Sequence, residues 1–212
     1  MRAELMLEST ETSMLIVEER KRRDIVVGVP HHAPAGTSTL PCTEHPEADE
    51  NAGFLGRYLA EKIDCCSVIA CNYTIDANKS AQTDYTMRII EWSPRILIEI
   101  HGHGNKKARS DIEISSGGID NDRFSMELAS RLRKSISTHP ELKSISICGE
   151  YEKIYYTAKS AVTISDRRWL SYHIELPPDL RKPDDDRNGK PPEIGYQFCR
   201  YLAQALNAMN PI

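Results

Sequence analysis

A chain of 212 residues that is 40% hydrophobic and 27% charged can bury a sizeable core, and it reads as a single domain over 1–212. Its formal net charge of -4, with no large basic block, argues against nucleic acid as a partner, and no apolar run is long enough to span a bilayer. The N-terminal stretch is too acidic for a signal peptide and the 6 cysteines form no CxxC pair, so the expectation is a cytoplasmic protein with reduced thiols.

Along the chain, Ser13 to Glu18 and Asp24 to Pro30 read as two strands. The charged run between them marks a solvated turn, and a hairpin is expected. The second strand ends in Pro30-His31-His32. A loop rich in Gly, Ser, Thr and Pro follows, and Glu47-Ala48-Asp49-Glu50 is expected to open a helix over Ala52, Leu55, Leu59 and Ile63. Acidic residues in a first helical turn suit the macrodipole, so that structural role stands beside any chemical one. Cys66 to Cys71 is a short strand running into Asp76-Ala77-Asn78-Lys79, and a helix is expected from Ala81 to Glu91.

Arg95 to Ile100 is a nearly continuous run of branched apolar residues, the pattern of a strand buried on both faces. It stops in His101-Gly102-His103-Gly104. Imidazoles at the carboxyl edge of a central strand stand where open α/β sheets bind ligands. Next come a strand at Ile112 to Ser115, an amphipathic helix over Asp120 to Ser137 and a strand ending at Cys148. Ala161 to Ser165 reads as a further strand. The strand from Trp169 to Leu176 carries His173 and ends on Glu175 before Pro177-Pro178. A polar loop holding the charge run Asp184 to Arg187 leads to a last helix through Ile194, Phe198, Leu202 and Leu206. Alternating strands and helices give an α/β fold with helices on both faces of a central sheet.

Polar groups therefore collect at strand ends. Two or more imidazoles plus a carboxylate is a common ligand set for catalytic zinc, and a separate glutamate can serve as general base. A lysine and an asparagine nearby can hold an anion. The pattern points to metal-assisted hydrolysis. His103 is either a turn residue or part of the pocket lining. His173 reads as a core or supporting residue, His45 and His139 as loop residues, and the tyrosines at 151, 155 and 156 as packing.

In the order Pro30-His31-His32, Asp49-Glu50, Asp76-Ala77-Asn78-Lys79, Ile100-His101-Gly102 and Ile174-Glu175-Leu176, the chain resembles the N-formylglutamate amidohydrolase family. That family is related to zinc carboxypeptidases and aspartoacylase-like hydrolases. The resemblance implies a phosphorylase/hydrolase-like, three-layer α/β/α sandwich around a mixed sheet. It also implies Zn2+ as cofactor and a small amide substrate bearing an anionic group. On these positions the metal ligands fall on His31 or His32, on Asp49 with Glu50 as the alternative, and on His101. The general base falls on Glu175, and the substrate carboxylate falls to Asn78 and Lys79; His103, as a pocket-lining residue, is the further substrate-binding candidate from the strand-end reading. Lys79 stands where the family usually carries arginine, which keeps the charge but loses the bidentate fork. The rival readings are a carboxypeptidase-type peptidase and a non-catalytic zinc or ligand-binding module. A base at Glu175 would be of no use to a module that only binds.

Overall fold

The apolar runs assemble into one mixed sheet in the computed structural model, which describes residues 4–183 and 189–209. In chain order the elements are β1 (Glu4–Ser9), β2 (Met14–Glu19), β3 (Arg22–Ala33), β4 (Asp49–Glu50), α1 (Ala52–Ile63), β5 (Cys65–Cys71), α2 (Asp84–Trp92) and β6 (Ile96–Gly102). They continue with β7 (Ile112–Ser115), α3 (Asp122–Ile136), β8 (Ile147–Cys148), α4 (Val162–Ser165), β9 (Leu170–Leu176), α5 (Pro178–Arg181) and α6 (Glu193–Ala208). The sheet order is β1-β2-β5-β3-β6-β9-β7-β8, with β4 beside the end of β3. The central strands β5, β3, β6 and β9 are parallel, and β2 and β7 join them antiparallel. The charge run Asp184 to Arg187 lies outside the described residues.

Parallel strands buried on both faces need apolar side chains on both. On one face Val27, Val29, Ile98 and Ile100 pack with Leu55 and Leu59 of α1, Leu128 and Leu132 of α3, and Phe198 and Leu202 of α6. On the other, Val26, Val68 and Leu97 pack with Tyr85 and Ile89 of α2 and Ile164 of α4. The result is the expected three-layer α/β/α sandwich.

Three local expectations are corrected. The strands β2 and β3 do not form a hairpin, because β5 lies between them and β2 pairs with β1 and β5 instead. The buried, two-sided apolar run of β3 demands neighbours on both sides, whereas half-exposed β2 suits the sheet margin. Asp49 and Glu50 do not open a helix but form β4, paired in parallel with His32 and Ala33. Asn51 then takes a left-handed φ of 62° to turn the chain into α1, whose first turn holds no acid. Ala161 to Ser165 forms a short helix, not a strand. Its β-branched residues are overridden by tertiary contacts: the Thr163 hydroxyl donates to Glu99 at 2.7 Å and its carbonyl accepts from the Trp169 indole at 2.8 Å.

From β3 the chain crosses to β5 on one side, then returns over β3 to β6 on the other. The crevice outside the carboxyl ends of β3 and β6 is thus the topological switch point. His31 and His101 end those two strands.

Candidate metal centre and active site

Strict alternation from Val27 and Val29 would put His31 against α1 and His32 on the opposite face. The structure reverses this. Between Val29↔Ile69 and His32↔Cys71, β3 spends three residues against two of β5, which is a bulge. His32 therefore joins Val29 on the α1 face, where its Nδ1 accepts from the Gly53 amide at 3.2 Å and its ring meets Phe54 edge-on. Burial pushes this imidazole down to about 4. His31 is turned onto the face that carries Glu99 and His101, so of the two candidates it is His31 that stands beside Asp49 and His32 that packs on α1.

His31 Nδ1 lies 3.6 Å from Asp49 Oδ2, and His101 Nδ1 lies 3.5 Å from the same oxygen. Donors bound at about 2.0–2.1 Å in a tetrahedron stand roughly 3.3 Å apart, so these three atoms are spaced as neighbours around one small cation. All three side chains are buried. His31 Nδ1 and Asp49 Oδ2 have no hydrogen-bond partner, a cost that a bound cation removes. Glu50 takes no part: its carboxylate accepts from Lys182 at 2.5 Å and from the Gly36 amide at 2.9 Å.

Each ring is braced from behind. His31 Nε2 meets Asp76 Oδ1 at 2.9 Å, and His101 Nε2 meets Glu99 Oε2 at 3.3 Å. A proton held on Nε2 by these carboxylates leaves the Nδ1 lone pairs facing Asp49, the carboxylate–histidine–metal arrangement. Glu99 is fully buried and also accepts from Asn78 Nδ2 and the Tyr85 hydroxyl at 2.8 Å each. Gly28 makes room for that hydroxyl, since a Cβ there would lie 2.1 Å from it. Lys79 Nζ pairs with Asp76 Oδ2 at 2.7 Å. The Asp76-Ala77-Asn78-Lys79 segment thus supports both histidines, and what Asn78 and Lys79 touch is protein carboxylate. If the cluster holds a divalent cation, Glu99→Gln is expected to weaken its affinity about 10–100-fold, measured by competition with a chelator, while leaving a folded protein.

Burial alone would lower His101, but Asp49 and Glu99 outweigh it and hold the imidazole up, to about 10. His31 is raised in the same way by Asp49 and Asp76, and both imidazoles hold Asp49 well below the usual carboxylate range against its burial. A metal entering this cluster displaces protons from it.

Glu175 is the register neighbour of His101 on β9 and lines the same cleft. Burial pushes its carboxyl up to about 7. Its Oε2 has no partner, and Oε1 lies 3.4 Å from His173 Nε2. Arg181 makes no ion pair with Glu175 among the described residues and is engaged elsewhere. Its guanidinium donates to the carbonyls of Glu50 at 2.8 Å and of Leu176 and His103 at 3.1 Å each. That clasp ties together the ends of β4, β6 and β9. Gly102 lets it pass, as a Cβ there would lie 2.0 Å from Arg181 Cζ. Donor atoms of His101, His173 and Glu175 also lie within 4.8 Å of one another. That set would share His101, whose Nδ1 faces Asp49, and would consume the carboxylate that borders the cleft.

The remaining histidines divide. His103 is buried with both nitrogens used, Nε2 against the Asp111 carbonyl at 2.9 Å and Nδ1 accepting from the Asn105 amide at 3.1 Å. It holds the turn and also borders the cleft. His45 stacks flat on His31, with centroids 3.8 Å apart at 9°, and lines the cleft. Nothing local in its loop marks it, because the contact is made by a loop closing over β3. Glu99 had a signal, a lone charge inside an apolar strand. Tyr155 and Tyr156 line the cleft beyond their packing role.

No family model and no curated protein matches the sequence. Among solved structures the chain is similar to a bacteriophage poly-gamma-glutamate hydrolase, with 10% identity and a TM-score of 0.62 over 94% of this chain and 91% of that one. An Agrobacterium tumefaciens gene product matches at 16% identity and TM-score 0.56 over 92% and 95%. The N-formylglutamate amidohydrolase of Ralstonia eutropha matches at 12% identity and TM-score 0.50 over 90% and 94%. The chain shares the fold of these proteins over nearly its whole length.

Proposed function

We propose that this protein is a zinc-dependent hydrolase that cleaves an amide bond in a small carboxylate-bearing substrate such as an N-acyl amino acid. The observation that carries the reading is the convergence of His31 Nδ1, Asp49 Oδ2 and His101 Nδ1 beside the cleft-lining carboxylate of Glu175. Two of the fold neighbours bear names that describe hydrolysis of poly-gamma-glutamate and of N-formylglutamate, which agrees with amide chemistry. Three protein ligands with an open position is the composition of a catalytic zinc site, and buried structural sites are instead closed by a fourth ligand.

His31, Asp49 and His101 would hold the ion, with Asp76 and Glu99 fixing the two rings. Bound there, zinc supplies Lewis-acid polarisation and a lowered pKa for water. Glu175 takes the proton from the attacking water as the new C–O bond forms. It then delivers that proton to the leaving nitrogen as the C–N bond breaks, so one carboxylate serves both halves of the reaction. The test is a screen of N-acylated amino acids and short peptides with metal content read on the same protein. Activity should vanish on chelation and return with zinc, at about one ion per chain. Zinc uptake without any turnover would favour a binding module on the same fold.

A further inference from the structure

Asn78 and Lys79 are committed to Glu99 and Asp76, which leaves the substrate's anionic group to be held elsewhere. The opposite wall of the cleft is built for it. Glu113 on β7 is fully buried, and its Oε1 accepts from the Arg109 amide at 2.6 Å. Its Oε2 accepts from the amides of Tyr155 and Tyr156 at 2.8 Å each. One carboxylate thus ties the loop after β6 to the loop after β8, and three backbone donors offset its desolvation.

The first loop presents Lys106 and Lys107 to the cleft, and the second presents Tyr155 and Tyr156. Lys107 Nζ lies 5.7 Å from the centre of the Tyr155 ring, and Tyr156 stacks on His103 with centroids 5.7 Å apart at 16°. Among the described residues neither lysine forms an ion pair with a carboxylate. Glu47 also borders the cleft, while its other two carboxylates, Asp49 and Glu175, belong to the metal and base end. The cleft holds about 310 Å³, the size of a small ligand and not of a folded partner.

We infer that Lys106 and Lys107 form the anion subsite of this cleft, gripping a carboxylate of the substrate while its amide lies beside Asp49, His101 and Glu175. This rests on the hydrolase reading above. The tyrosine wall would cover the apolar spacer between the two ends of the substrate, and Glu113 acts as a positioning residue that sets the spacing of the two loops. The subsite therefore selects an acidic substrate over its neutral analogue, through an ammonium pair and not through a bidentate arginine fork.

Glutarate and valerate share one chain length and differ by a carboxylate, so their ratio of dissociation constants with zinc-loaded protein reads the subsite by titration calorimetry. Native protein should prefer glutarate. Lys106→Ala and Lys107→Ala should each reduce that preference by on the order of tenfold, the worth of a hydrogen bond to a charged group. Added salt should erode the preference in native protein and have little effect in the double variant. Both substitutions lie on an exposed loop and leave the core intact. A preference that survives in the double variant, or that is removed instead by Lys79→Ala, overturns the assignment. Zinc content of the same samples separates the two readings. A native protein that takes up zinc but shows no glutarate preference sinks the subsite alone, whereas one that takes up no zinc sinks the metal centre as well.

Discussion

Glu175→Gln is expected to lower kcat by about 10²–10⁴ on a substrate that the native protein hydrolyses, with zinc content unchanged. Glutamine keeps the length and shape of the side chain and can still fill its place at the end of β9, between His173 and the cleft. What it loses is the ability to accept a proton from water and return it to the leaving nitrogen. The KM should move far less than kcat, because Glu175 acts on the transition state. Steady-state kinetics with metal analysis on the same sample checks this. Near-native turnover would place the base elsewhere, and loss of zinc would make Glu175 a ligand, as the second donor set with His101 and His173 allows in geometry.

Asp49→Asn should abolish stoichiometric zinc binding and bring activity down to that of the chelated native protein. The carboxylate supplies the charge of the ligand set, and both imidazoles point at the one oxygen. An amide in its place offers a neutral oxygen and a donor N–H that repels the cation. The fold should persist, since β4 is held by its backbone pairing to β3 and by the Arg181 clasp on the Glu50 carbonyl, neither of which uses the Asp49 side chain. Far-ultraviolet circular dichroism together with zinc analysis distinguishes loss of metal from loss of structure. Tight zinc binding by a folded Asp49→Asn protein would contradict the ligand set, and Glu50→Gln would then be the next variant to measure.

Much of this protein is determined by its sequence alone. The two-sided apolar runs of β3 and β6 require a buried parallel sheet, because such strands have no face to give to water. Helical spacing in α1, α3 and α6 then supplies the covering layers. His101 and Glu175 are legible for the same reason: each is a polar residue at the carboxyl end of a buried strand, and such ends converge on a crevice. The pairing of His173 with Glu175 follows from period-two alternation.

The tertiary structure decided what periodicity could not. A one-residue bulge in β3 reverses which of two adjacent histidines faces the cleft, and a bulge is set by pairing with β5, far along the chain. Asp49 and Glu50 look like a helix start, yet they form a strand because β3 offers its edge there. Glu99 is one charge among apolar residues until Asn78 from a loop, Tyr85 from α2, Thr163 from α4 and His101 of its own strand gather around it. Asn78 and Lys79 carry the chemistry of an anion site in sequence, but in space they meet carboxylates first. Local composition states what a side chain can bind, and only the fold brings the partner within 3 Å.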